Sequence, residues 1–267
     1  MGDVHGRLAT GLDFACALDS SNEFVCWGRG LPYEAPPGAY TMLAAGSIRV
    51  CLLDQAGALL CLPEEQHDLP QGTFQSVCVG GYLSCAIDSA SALVCWTSPG
   101  NELDERLIPP TGTFREVSCG QVHACAIRVD GTVTCWGIDS FGETVAPSGQ
   151  FEHVAVGPSG SCGIQSGTRE VQCWGDATAA PLPGRPVVRI TRGYSDAASL
   201  GFGCAVDEDD QLVCWGTVEG ATDAPTGSFR TVTANDNHAC AAAPDGTVTC
   251  WGDLLGWADV PADLRLF

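Results

Sequence analysis

The residues best equipped for chemistry in this sequence are its 16 cysteines and five histidines. Most of the cysteines fall into seven pairs, of which Cys125 and Cys135 in CAIRVDGTVTCWG are typical. Two thiols at such a spacing could ligate a metal, form a redox couple or staple two strands. Zinc sites favour Cys-x-x-Cys knuckles and four converging donors. Here each pair stands in its own segment, with no third or fourth ligand recurring beside it. A three-residue hairpin loop of Val129, Asp130 and left-handed Gly131 would set Arg128 opposite Thr132 and Cys125 opposite Cys135. Directly opposed strand residues lie about 4.5–5.5 Å apart at Cα, within disulfide reach. The count favours a disulfide over free buried thiols or a metal. It pairs Cys16 with Cys26, Cys51 with Cys61, Cys85 with Cys95, Cys204 with Cys214 and Cys240 with Cys250 in the same way. Cys162 and Cys173 are one residue further apart, and a four-residue SGTR loop absorbs the difference. Cys78 and Cys119 lie outside the pairs, on the leading strands of adjacent segments, where they could bridge the two. Successive strand residues face opposite ways, which leaves that pairing open.

The remaining chemical signals are weak. His123 and His238 share one repeat position, two before a cysteine, with no carboxylate cluster beside them. A packed, hydrogen-bonded role fits them better than metal ligation. Asp207-Glu208-Asp209-Asp210 resembles a calcium-binding run but sits on a hairpin turn without the full loop signature. There is no Gly-x-Ser-x-Gly elbow, phosphate loop or zinc-protease helix. The expectation is therefore a protein that is not an enzyme, with no cofactor and no metal.

The elements that position the cysteines recur too. The first cysteines of the pairs are Cys16, Cys51, Cys85, Cys125, Cys162, Cys204 and Cys240. Upstream of each lies a second apolar segment, such as Phe114, Val117 and Gly120 or Phe151, Val154 and Gly157. Short runs rich in Val, Ile, Leu and Thr, bounded by Gly, Pro, Asp and Ser, read as strands. Each unit reads as strand A (FREVSCG), strand B (CAIRV), a tight turn, strand C (TVTCWG), a loop and a short strand D such as ETVAP. The expected fold is all-β, a seven-bladed β-propeller of four-stranded blades forming a single domain over residues 1–267. Trp251 to Leu264 repeats the spacing of Trp27 to Tyr40, which would place Phe267 in the register of Leu8 and bring the chain ends into one blade. Trp27, Trp96, Trp136, Trp174, Trp215 and Trp251, each following a cysteine, are expected in the core.

The run Gly120 to Gly137, G-x-x-H-x-C-A-I-x-x-D-G-x-V-x-C-W-G, resembles the repeat of the regulator-of-chromosome-condensation family. Length and layout also resemble the secreted bacterial β-lactamase-inhibiting propellers built from that repeat. The resemblance implies a propeller that uses one loop face to bind protein. The second unit departs from it, with Cys61-Leu62-Pro63 in place of Cys-Trp-Gly.

Composition narrows the partners. Acidic residues outnumber basic ones 32 to 12, for a net charge of −20, and every basic residue is Arg. Such a surface repels nucleic acid and anionic membranes, so neither nucleic-acid binding nor membrane insertion is expected. The cysteine content points to an oxidising compartment, extracellular, cell-surface or periplasmic; the N-terminal residues show no apolar signal segment. Chain direction puts the A–B and C–D loops on one face and the B–C turns on the other. Candidate partner-binding residues on the first face are Phe14, Tyr33, Arg49, Tyr82, His123, Phe141, Tyr194, Phe202, His238 and Trp257. The functional expectation is a secreted, monomeric, non-enzymatic protein that binds a protein ligand there, inhibition of an extracellular enzyme being one form. A glycan-binding lectin and an architectural module of a surface protein are the alternatives.

Overall fold

The computed structural model describes residues 6–29, 36–63, 69–97, 105–176, 184–193, 202–216, 218, 220–235, 237–252 and 259–267. Its strands group in threes. The first three blades are β1 (Leu8–Thr10), β2 (Phe14–Leu18) and β3 (Phe24–Gly28); β4 (Tyr40–Ala45), β5 (Val50–Asp54) and β6 (Leu59–Leu62); and β7 (Phe74–Val79), β8 (Leu83–Asp88) and β9 (Leu93–Thr97). Blades four and five are β10 (Phe114–Cys119), β11 (His123–Arg128) and β12 (Val133–Gly137), then β13 (Phe151–Val156), β14 (Gly160–Gln165) and β15 (Val171–Gly175). Blades six and seven are β16 (Val187–Gly193), β17 (Phe202–Asp207) and β18 (Leu212–Gly216), then β19 (Thr231–Asn235), β20 (His238–Ala242) and β21 (Val248–Gly252). Each trio is an antiparallel meander, and no sheet extends from one blade into the next. The first strand of each blade touches the first strand of the following one, and β19 touches β1, so the seven sheets surround a common channel as a β-propeller.

The expected fourth strand is absent from the described residues. ETVAP, Glu143–Pro147, forms a turn and an irregular stretch with no ladder. Its side chains serve local contacts instead: the Phe141 amide donates to Glu143 Oε2 at 2.6 Å and Thr144 Oγ1 donates to Asp139 Oδ2 at 2.8 Å. Proline recurs in these C-to-A connections, at Pro37, Pro70, Pro110, Pro147, Pro225 and Pro261. A residue that cannot donate to a ladder interrupts strand pairing.

Middle strands such as FACAL (Phe14–Leu18) are buried at every position. A sheet covered on both faces by its neighbours needs apolar residues throughout rather than alternation. The hairpins follow the sequence count. In blade four the Arg128 amide donates to Thr132 O at 2.8 Å, Gly131 has φ +90°, and Cys125 lies opposite Cys135. In blade five the Gln165 amide donates to Glu170 O at 2.9 Å, and the longer loop sets Cys162 opposite Cys173. All seven opposed pairs are disulfides, with Cα separations of 4.0 to 4.1 Å. Cys78 and Cys119 form an eighth, across blades three and four, with Cα atoms 5.5 Å apart.

The chain ends share one hydrophobic cluster. Leu8, Ala15, Ala17 and Trp27 pack with Ala242, Val248, Leu264 and Leu266. The Leu266 amide donates to Gly246 O at 3.1 Å, the same bond that Phe151 makes to Gly131 O at 2.8 Å where blade five begins.

The staples carry a stability prediction. Loop-entropy reasoning gives about 2–3 kcal/mol for one ten-residue closure and about 4 kcal/mol for the Cys78–Cys119 closure. Cys125→Ala/Cys135→Ala should lose the smaller amount and Cys78→Ala/Cys119→Ala the larger, measured by urea denaturation under non-reducing conditions. Intact mass after alkylation should count no free thiol in the native protein; a full set of modified cysteines would contradict the pairing.

Candidate functional site

Two regions gather functional side chains: the loop face where strands A give way to B, called the upper face, and the channel. On the upper face, neighbouring A–B loops are tied backbone to backbone. The Leu12 amide donates to Ser47 O at 2.9 Å, Gly81 to Gly120 O at 3.3 Å and Tyr82 to Gln121 O at 3.1 Å. Ile48 and Tyr82 on these braced loops are 66% and 49% exposed, and Phe141, on a C–D loop, is 60% exposed. Large apolar groups held rigidly in water are the usual anchors of a protein contact.

The sequence-derived contact residues divide sharply. Tyr82 and Phe141 project from the surface. Phe14, Arg49, His123, Phe202 and His238 are buried. All five sit two residues before the first cysteine of their unit. There the chain has already entered, or is about to enter, the enclosed middle strand. They hold the rim from beneath rather than meeting solvent. Tyr33, Tyr194 and Trp257 lie outside the described residues. Among the Cys-Trp positions, Trp27, Trp96, Trp136, Trp215 and Trp251 are buried, whereas Trp174 is half-buried and donates from Nε1 to Glu143 O at 3.0 Å.

The two histidines act between blades. His123 Nε2 lies 3.0 Å from Ser161 Oγ of the next blade, and His238 shares a hydrogen bond with the Phe14 backbone across the closing interface. Burial pushes both rings down to about 4, with the nearby Arg192 charge adding to the effect at His123.

The channel, about 650 Å³, is lined by all seven first strands. A polar chain crosses three of them. Arg189 Nη1 donates to His153 Nε2 at 3.2 Å, and His153 Nδ1 lies 3.1 Å from Glu116 Oε2. Glu116 Oε1 also accepts the Val154 amide at 2.8 Å. Reading the first strands one at a time finds no such set. The signal lies in their shared register: Glu116 pairs with Ile127, His153 with Ile164 and Arg189 with Val206, each two residues beyond the unit's first cysteine. Higher in the channel, adjacent blades meet through a second register pair. It is the disulfide at Cys78 and Cys119, the Val156 amide donating to Ser118 Oγ at 3.1 Å, and Thr233 Oγ1 lying 3.1 Å from Thr10 Oγ1. Arg192 occupies this level in blade six. Burial pushes its guanidinium down to about 10 against the raising effect of Asp176. Among the described residues no group of three or more His, Cys, Asp or Glu side chains is placed to hold a metal.

The buried histidines make stability pH-dependent. An unfolded chain binds their protons near pH 6.5, whereas the folded one does so only near 4. The unfolded state therefore holds more protons between those values, and folding stability falls as the pH drops through that window. The loss reaches about 2 kcal/mol per ring by about pH 5. Urea midpoints of the wild type should drop accordingly from neutral pH, and His123→Gln/His238→Gln should flatten the profile. A wild-type midpoint indifferent to this change would contradict the assignment.

Comparison with known proteins agrees with this geometry. The model of the Regulator of chromosome condensation (RCC1) repeat matches residues 114–143. No curated protein matches by sequence. The CRINKLY WD40 ectodomain of the Arabidopsis thaliana receptor kinase ACR4 superposes with a TM-score of 0.77 at 22% identity, covering 97% of this chain and 96% of that one. The ectodomain of the Physcomitrella patens receptor kinase CR4 gives 0.77 at 19% identity, covering 92% and 72%. Prp20p from Saccharomyces cerevisiae gives 0.67 at 14% identity, covering 93% and 83%. Residues 114–143 thus match the RCC1 repeat, and the chain as a whole has a β-propeller fold like that of these structures.

Proposed function

We propose that the chain is a non-enzymatic, secreted binding module that docks a protein partner on its upper face. The observation that carries this reading is the set of exposed anchors, Ile48 and Tyr82 on A–B loops braced to one another and Phe141 on a C–D loop. A preorganised surface loses little entropy on binding. The net charge of −20 favours a partner with a basic surface and speeds its encounter. Secretion is supported by eight disulfides, which persist in oxidising compartments. The ectodomain architecture of the plant receptor neighbours is in keeping with it. Prp20p, of similar fold, is described with binding properties toward Gsp1p and histones. Inhibition of an extracellular enzyme is one form that docking on this face would take. We also propose that residues 1–267 make one domain, in which Leu264 and Leu266 complete the blade begun by Leu8.

Two experiments test these readings. A panel of secreted and cell-surface proteins, screened in parallel with a glycan array, should yield a protein ligand whose affinity drops at least about tenfold in Tyr82→Ala/Phe141→Ala, as expected for anchor removal. The melting temperature should stay unchanged. Glycan binding with no protein ligand would overturn the proposal. Deleting residues 264–267 removes two buried leucines and should cost at least about 2 kcal/mol. A truncated protein as stable as the full chain would refute the shared blade.

A further inference from the structure

The interface between blades five and six carries a charged residue at a level where the other interfaces have uncharged ones. At the upper register pair, three other interfaces place a disulfide, a Ser–amide hydrogen bond or a Thr–Thr contact. Here the blade-six position is Arg192, paired in its own sheet with Gly203 as Cys119 is with Ala124. Its side chain lies over Gly157, where a Cβ would come within 2.9 Å of Nε. Arg192 is 9% exposed; Nη1 reaches Cys162 Sγ at 3.5 Å, and Nε has no hydrogen-bond partner. A thioether-like disulfide sulfur is a weak acceptor. No carboxylate forms an ion pair with Arg192 among the described residues. Asp176 favours the charged form without making a close ion pair, and a buried guanidinium that lacks such a pair is costly.

The channel wall beside it inverts the charge of the molecule. Among the described residues its charged side chains are Arg115, Arg189 and Arg192 against the carboxylate of Glu116, in a chain of net charge −20. Both Glu116 oxygens are engaged by blade five, so no lining carboxylate among the described residues remains for Arg192. We infer that the upper channel is a binding site for a small oxyanion, a phosphate or a small polycarboxylate, held by Arg192 where blades five and six meet. The planar fork of guanidinium suits two oxygens of such a group. The channel volume of about 650 Å³ has room for it.

The test uses the full, oxidised chain at constant ionic strength, with inorganic phosphate in one arm and citrate in the other. At least one anion should raise the wild-type melting temperature along a saturable curve, and the responding arm identifies the class. Arg192→Met removes the buried charge. It should melt no lower than wild type without ligand and should lose the saturable response. General salting stabilisation would act on both proteins alike. Arg192→Lys keeps the charge but not the fork, and should weaken the response roughly tenfold. An undiminished response in either variant, or no saturable response from wild type to either anion, would overturn the site.

Discussion

One constraint organises the molecule: in every blade two cysteines must stand directly opposite each other on the middle and outer strands. A register slip of one residue would turn every side chain of the hairpin to the wrong face. The disulfide forbids that slip. Turn chemistry serves the same end by different means. Asp19, Asp54, Asp88 and Asp207, each three residues past a cysteine, accept two amides across their turns. Blade five has Gln165 at this place and a longer loop, yet the opposition of Cys162 and Cys173 survives. A good part of the acidic composition is therefore structural. These aspartates fold hairpins before they influence any partner.

With each hairpin locked, neighbouring blades supply the rest of the burial. The middle strands are covered on both faces, so small residues such as Ala15, Ala17, Ala124 and Ala126 sit beside large ones such as Phe14 and Ile127. The blades then communicate through side chains instead of a shared ladder. His123 and Ser161, Glu116 and His153, and Arg115 with the Phe151 carbonyl at 2.5 Å all cross an interface. Because these links differ from one interface to the next, the ring is built of similar units joined by dissimilar joints.

The cysteine count made the blade legible from sequence alone, down to the compensating residue in the SGTR loop. It also identified Cys78 and Cys119 as neighbours, although strand alternation left their pairing undetermined. The fourth strand was misread because Thr144 and Val145 look strand-like in isolation, while Pro147 and the local bonding of Glu143 and Thr144 prevent a ladder. The contact residues were misread for another reason. Loop boundaries drawn from composition fell too late, so Phe14, His123, Phe202 and His238 were assigned to loops when each begins a buried strand. Convergence of Glu116, His153 and Arg189 depends on the angle between blades, which no single repeat encodes.

The eighth disulfide gives the ring a mechanical polarity. Blades seven and one, where the chain starts and stops, are joined by packing around Leu8 and by hydrogen bonds such as Asn235 Nδ2 donating to Thr10 O at 3.0 Å. Blades three and four, far round the circle, are joined covalently through Cys78 and Cys119. The circle is thus fastened covalently at one joint and, where the sequence returns on itself, by burial and hydrogen bonds alone.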